Sequence, residues 1–526
     1  MKTGTTPSRV EITMRDVTAK SVKLNRDLDK MLEQALERDL LVRIGWGKQG
    51  DEKPKKGEIG VITHLPKDSR VLLLGDLGEC AGAMNDGGTF TLQGNCTSML
   101  GAFQSRGRIT VERDAGERTG HRMTGGEIFI QGSAGGFAGS RMRDGQIVIR
   151  GQAGKKVGAG MEGGVVVVLG NTDSEPGQAM TGGRIFVAGS CPPPGEGATI
   201  RSILDHELEE LASILEPHGL QLDSDALVII PSTDSPPLGE TPEYSITEGF
   251  ESIGLVSSGR ERLSNSATLD TETQILPTGL DENGLLAPIP WIVESKRMTA
   301  ATGTYGIAQP GLVTSEPRNN DLMLVNEDNI IEAVDKIGNC AGMVLDLSCQ
   351  SSLNDAEIEA LLVSLYSRMN DNSLVFLKDS VSRVEHLFRL IVELDLDGAI
   401  VDAATPGGSR AAATLPSIGL AAKAMNIINQ GRCIFLEIDE PPSAKDLLIA
   451  KAAGCSGIVA PPTDDDIESE IHRLYGNLRG WMRELGISGM SQINRKNLRA
   501  LDYETAAISG LRLVGYDRPL PMWLNK

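Results

Sequence analysis

Short runs of alternating apolar and polar residues recur every nineteen positions between Gly75 and Gly189. Phe90, Ile109, Ile128, Ile147, Val166 and Ile185 form one in-phase ladder. Leu92, Val111, Ile130, Ile149, Val168 and Val187, two positions on, form a second. Alternation at period two marks a strand with one buried face, and one strand per fixed unit marks stacked coils. Nineteen residues is too short for a helix pair. It predicts one coil of a right-handed parallel β-helix, with like side chains stacked about 4.8 Å apart from rung to rung. Two glycine columns keep the same step: Gly82, Gly101, Gly120, Gly139, Gly158 and Gly177, then Gly88, Gly107, Gly126, Gly145, Gly164 and Gly183. They predict corners where the chain takes positive φ or closely approaches the next coil. A column of Met123, Met142, Met161 and Met180 predicts pliable packing inside the coils.

The flanks read differently. Residues 1–74 are predicted to cap the repeat, with a strand VEITM at 10–14, an amphipathic helix near 25–38 and a strand LLVRIG at 40–45. The helix carries Leu28, Met31, Leu32, Ala35 and Leu36 on its apolar face. The repeat occupies 75–191 and stops at Cys-Pro-Pro-Pro. A stack of coils exposes a sheet edge at each end, so the helix at 205–219, within a segment 192–230, is expected to close the far one. Residues 231–245, PSTDSPPLGETPEYS, read as a linker between domains.

From 246 to 526 strands at 289–293, 342–347, 373–377, 398–402, 433–438 and 456–460 are interleaved with helical patterns near 354–368, 382–395, 414–429 and 443–453. That alternation predicts an α/β domain with a parallel sheet, as a (β/α)8 barrel, whole or reduced, or an open doubly wound sheet. A last helix, 464–485, opens on Asp464, Asp465 and Asp466. Acidic residues suit the positive end of a helix dipole, so this run predicts a cap and not a metal site.

Composition narrows the function. The 526 residues leave room for two or three domains, and a net charge of −20 excludes a general nucleic-acid-binding or anionic-lipid surface. No apolar run is long enough to span a membrane, and the N-terminal stretch lacks a secretory core, so a cytoplasmic setting is expected. The seven cysteines form no CxxC pair, and no histidine pairs with a cysteine or carboxylate at metal-ligand spacing. No metal site is predicted.

The repeat unit, as in GGFAGSRMRDGQIVIRG and KKVGAGMEGGVVVVLG, together with the lead-in RDLDKMLEQALERDLLVRIG, resembles the GXGXG β-helix domain of the glutamate synthase large subunit. The same unit is similar to the solenoid subunit of formylmethanofuran dehydrogenase. In glutamate synthases the β-helix is a packing platform without catalytic residues. Residues 246–526 resemble that family's FMN-binding barrel domain, with the domain order reversed. The resemblance rests on LDTETQIL with LAPIPWIV, on DGAIVDAATPGGSRAAATLPSIGLAAKA, on SAKDLLIAKAAGCSGIVA and on IHRLYGNLRGWMRELGISGMSQI. It implies a catalytic role for Lys378, near flavin and substrate, and cofactor-phosphate contacts from Gly407, Gly408, Ser409 and Arg410.

The departures cut against catalysis. The family's [3Fe–4S] cluster needs three closely spaced cysteines, and none follows Cys455. The second phosphate-holding stretch reads EIDEPPSA, where Pro441 and Pro442 offer no N–H and Glu437, Asp439 and Glu440 are acidic. No cysteine nucleophile of the amidotransferase kind stands near Met1, and no G-x-G-x-x-G follows a strand. The expectation is therefore a chain without bound cofactor, a scaffold or regulatory component of a glutamate-synthase-type complex. Its partners would be amidotransferase or related subunits, or further copies of itself. The alternatives are an active FMN-dependent component reducing 2-iminoglutarate, or a structural component like the solenoid of formylmethanofuran dehydrogenase.

Overall fold

The two ladders lie in register. In the computed structural model Phe90 pairs with Ile109, Ile109 with Ile128, Ile128 with Ile147, Ile147 with Val166 and Val166 with Ile185, all between parallel strands. The structure describes residues 16–45, 62–232, 244–275, 285–295, 308–348, 353–370, 373–463 and 466–516. The expected strand at 10–14 and most of the 231–245 linker lie outside them. Two units are present, one of Arg15–Thr241 with Ser352–Arg368, the other built mainly from Pro242–Ser351 and Met369–Lys526.

The first unit holds a ten-stranded sheet. Eight strands run parallel in chain order, from Val42–Gly45 and Arg70–Leu74 through Asp86–Gln93 to Gly182–Val187. The ladder thus begins earlier than the glycine pattern: Val71 sits against Phe90 and Leu73 against Leu92. A second line of parallel bridges, Ala115 to Ala134, Ala134 to Ala153 and Ala153 to Thr172, keeps the same nineteen-residue step. At the far edge Leu227–Pro231 pairs antiparallel with the eighth strand and carries Ala198–Ser202 outside it. Both ladders are wholly buried, each side chain contributing about 1.5–3 kcal/mol of apolar burial. Side chains of opposite parity, Phe129, Val148, Val167 and Phe186, form a separate cluster with Leu211 and Leu215 of helix Asp205–Leu215. That helix lies along the face of the sheet, and it is the antiparallel strands that take the edge.

Gly145 shows why the columns are glycine. Its φ is +102°, and a Cβ there would lie 2.7 Å from Cε of Met123, the methionine of the preceding unit. Gly164 and Gly183 meet Met142 and Met161 in the same way.

The first helix, Asp16–Leu36, starts well before the predicted 25. It buries Val22, Leu28, Leu32 and Ala35, but Met31 and Leu36 are 45% and 38% exposed, against expectation. The buried stripe includes the polar Thr18, Ser21 and Asn25, which hydropathy alone does not mark. Asn25 Oδ1 accepts from the backbone N–H of Ile62 at 2.8 Å. Thr18 donates to Glu359 of helix Asp355–Tyr366, which lies between barrel strands in sequence yet folds with this sheet unit. Arg118 holds that helix through both oxygens of Glu357, at 2.7 and 2.9 Å, and Arg368 pairs with Asp29 at 2.8 Å.

The second unit is a closed barrel of eight parallel strands. They are Trp291–Ser295, Gly311–Val313, Leu322–Val325, Gly342–Asp346, Leu374–Ser380, Gly398–Asp402, Cys433–Glu437 and Gly457–Ala460. Six match predicted strands to within three residues at either end. The second and third, Gly311–Val313 and Leu322–Val325, carried too few residues to show a period. The chain is thus a mixed α/β protein with one large, mainly parallel sheet and one complete parallel barrel. Asp466 caps the helix Ile467–Leu485, as its acidic start predicted, by accepting from Ser469 N–H; Asp464 and Asp465 are not among the described residues.

Candidate functional site

Alternation along the barrel strands builds the site. Ile292, Val344, Leu374, Phe376, Ile400, Cys433 and Phe435 fill the barrel interior. Two residues beyond the last of these on each strand, on the same face, stand Glu294, Asp346, Lys378, Asp402 and Glu437. An apolar interior therefore gives way to a charged layer at the C-terminal ends of the strands, the end where barrels bind ligands.

Lys378 Nζ lies 2.6 Å from Glu437 Oε1 and 3.8 Å from Asp346 Oδ2, with side chains only 8–10% exposed. Asp346 Oδ1 also accepts from Ser348 N–H at 2.9 Å, and Asp402 Oδ1 from Ala404 N–H at 2.8 Å. Glu437 Oε2 is buried and has no hydrogen-bond partner among the described residues. Burial opposes charge on Lys378, but Glu437 and Asp346 outweigh it and hold the ammonium above its usual range. Burial pushes Glu437 up to about 8 despite the neighbouring lysine, with Asp402 and Glu294 adding to the rise. Burial also raises Asp402, helped by Asp439 and Asp346 and opposed by Ala404 N–H and Lys378. Among the described residues one cation serves several carboxylates, so these groups are more acid than that cation can keep ionised.

The predicted phosphate-contact residues sit on the loop that continues the sixth barrel strand. Thr405–Pro406 and Ser409–Arg410 flank a tip where Gly407 and Gly408 have φ of +79° and +87°. Between those two short strands lies a third, Tyr244–Glu248, antiparallel to one and parallel to the other. Gly408 N–H donates to Thr405 O at 3.0 Å, Ser409 Oγ to Ala403 O at 2.7 Å, and Thr247 Oγ1 to Ser409 O at 3.0 Å. Arg410 Nε meets Glu248 at 2.6 Å, and its terminal nitrogen meets Glu504 at 3.2 Å. A Cβ on Gly408 would strike Thr247 Cγ2 at 2.1 Å.

These donors suit a flavin phosphate poorly. A dianion needs convergent N–H groups or cations, whereas Gly408 and Arg410 already serve Thr405 and Glu248. The loop after the seventh strand, Asp439-Glu440-Pro441-Pro442, borders a cleft of about 600 Å³ with the Ile246–Glu251 segment. Among the described residues, Glu248, Glu251, Asp439, Glu440 and Asp446 line it against a single lysine, Lys445. Among the described residues no group of three His, Cys, Asp or Glu side chains could hold a metal ion, and no helix is long and apolar enough to cross a membrane.

Sequence reasoning named Lys378 and noted Glu437 as acidic, but did not join them. It missed Asp346, Asp402 and Glu248. The signal for the first two was there: each lies two residues past an interior apolar residue on its strand.

The site defines a class: a mixed α/β chain whose parallel barrel carries a charged, mainly acidic C-terminal mouth. Residues 61–218, in the sheet unit, match the GXGXG motif family. No curated protein matches the chain in sequence. Among solved structures it is similar to a double variant of flavocytochrome b2 with sulfite bound, at 15% identity over 49% of this chain and 77% of that one, TM-score 0.35. A mandelate oxidase variant gives 14% identity, 46% and 86% coverage and a TM-score of 0.32. The formyltransferase/hydrolase complex FhcABCD from Methylorubrum extorquens, with methylofuran, gives 28% identity, 28% and 58% coverage and a TM-score of 0.26.

Proposed function

We propose that this chain is a non-catalytic scaffold or regulatory component of a glutamate-synthase-type assembly. The sheet unit is read as a parallel β-helix acting as a packing platform. The nineteen-residue register of the main ladder and the second bridge line Ala115–Ala134–Ala153 support that reading. The stretch 231–245 is read as the linker to the barrel domain.

One observation carries the non-catalytic reading. The strand Tyr244–Glu248 lies where the resemblance would seat a flavin phosphate, and its Glu248 binds Arg410. The pairing of Lys378 with Glu437 points the same way, because a lysine held at 2.6 Å by a carboxylate is not free to receive an anionic substrate. The competing reading, an active FMN-dependent component with Lys378 as a catalytic residue, is favoured by the complete barrel and by the position of Lys378 at its mouth.

A visible absorption spectrum of the purified full chain separates the two. The scaffold reading expects no flavin band, and only weak uptake on titration with FMN. Stoichiometric FMN retained through purification overturns it and restores the enzyme.

A further inference from the structure

The sheet unit ends on an edge strand whose backbone groups are left over in a particular pattern. That strand, Ala198–Ser202, pairs with Leu227–Pro231 over five consecutive residues without a bulge. Ile203 N–H donates to Ala226 O and Ser232 N–H to Gly197 O, both at 3.0 Å. Antiparallel bonding alternates sides, so the odd-numbered residues of this strand face the inner neighbour. Ala198, Ile200 and Ser202 therefore turn their backbone groups outward. Two of these groups are used within the chain. Ala198 N–H donates to Gly195 O at 3.2 Å, and Ser202 O accepts from Arg201 Nη1 at 3.0 Å. Ala198 O, Ile200 N–H, Ile200 O and Ser202 N–H have no partner among the described residues.

The side chains leave the edge open as well. Sheet edges are ordinarily guarded by lysine, proline or a bulge, and this strand carries none of them. Its one charge, Arg201, is held by both oxygens of Glu207 at 2.7 and 2.8 Å. Ala198 and Ile200 are only partly buried and pack against the interior cluster that holds the two ladders. A self-pairing centred on Ile200 fits this pattern group for group. With two copies antiparallel about a two-fold axis, Ile200 meets Ile200 of the second copy and Ala198 meets its Ser202. Ile200 N–H and O then bond their counterparts, and Ser202 N–H bonds Ala198 O in both directions. The two groups already in use, Ala198 N–H and Ser202 O, fall opposite each other. Arg201 falls opposite Thr199, so no like charges are directly opposed.

We propose that Ala198–Ser202 is a dimerisation edge whose partner is the same strand of a second copy of this chain. The two ten-stranded sheets join edge to edge, with the Ile200 side chains adjacent on the face of the interior cluster. The contact shields apolar surface that a single copy leaves partly exposed. It does not rest on the scaffold reading: absorbance reports flavin and the experiment below reports mass, so the two fail separately.

The test is sedimentation velocity of the full chain from sub-micromolar to near-millimolar concentration, with backbone hydrogen exchange on the same samples. A reversible species of twice 56.1 kDa is expected, with the Ile200 and Ser202 amides protected only where it forms. Ser202→Pro removes one N–H from each copy at an exposed position, and Ile200→Pro removes the other. Each takes away two of the four bonds across the axis and is expected to weaken pairing roughly tenfold. Ile200→Val keeps the N–H and is expected to pair as the unaltered chain does. Circular dichroism checks that each variant folds; should neither proline variant fold, the exchange data on the unaltered chain decide. The proposal falls if the chain stays monomeric at every concentration, or if either folded proline variant dimerises with unchanged affinity. It also falls if a dimer forms while the Ile200 and Ser202 amides stay unprotected.

Discussion

Lys378 Nζ and Glu437 Oε1 stand 2.6 Å apart, and their strands are separated by the whole of the sixth barrel strand. The pair spans that strand because both residues lie two positions beyond interior aromatics, Phe376 and Phe435, at one level of the wall. Replacing Lys378 with Met leaves Glu437, Asp346 and Asp402 buried without their cation. The expected cost is about 3 to 5 kcal/mol, the usual penalty for breaking one side of a buried pair. Urea denaturation checks it, and the double variant Lys378→Met with Glu437→Leu is expected to recover most of the loss.

The raised pKa of Glu437, about 8, sets a pH dependence with a definite sign. A carboxyl whose folded pKa lies above its unfolded one binds its proton more tightly in the folded state. Its contribution is fully present below the unfolded value of about 4.3 and is lost as pH rises through about 8. Barrel stability is expected to fall across that window. Glu437→Gln, which cannot titrate, should flatten the slope in denaturation curves recorded between those limits.

In the sheet unit, Ile147 is fully buried between Ile128 and Val166 in the main ladder. Ile147→Asp places an unpaired charge in the middle of the stack, at a cost of several kcal/mol on the order expected for such burial. Loss of the cooperative melting transition of the sheet unit is the expected outcome. An unchanged transition in the full chain would mean that Ile147 is not an interior rung.

Proteolysis offers a test of chain organisation. Cleavage is expected first within 231–245, between the paired Pro231 and Tyr244, because the prolines and polar residues there suit neither a helix nor a central strand. The C-terminal fragment carries helix Asp355–Tyr366, which folds with the sheet unit through Glu357 and Glu359. The nicked halves should therefore co-elute in size-exclusion chromatography. Arg118→Ala, which strands the buried Glu357, is expected to separate them.

The sequence by itself determined what is periodic and local. The Phe90–Ile185 ladder, the methionine column under its glycines, and the strand–helix alternation after 246 were legible because each residue's neighbours lie at a fixed offset. A strand or helix buries its own face by its own period, so the pattern carries the element. Tertiary structure decided three things the pattern does not contain. Polar Thr18, Ser21 and Asn25 turned the first helix so that Met31 and Leu36 face solvent, since a buried hydrogen-bonding group looks exposed to any hydropathy reading. Helix Asp355–Tyr366 joined the sheet unit and not the barrel that flanks it in sequence, through ion pairs with residues more than two hundred positions away. The third is the setting of Lys378. Alone in a sequence it reads as a free cation near a cofactor; in the barrel a carboxylate 59 residues on takes it up, because strand closure, not spacing, sets which side chains meet.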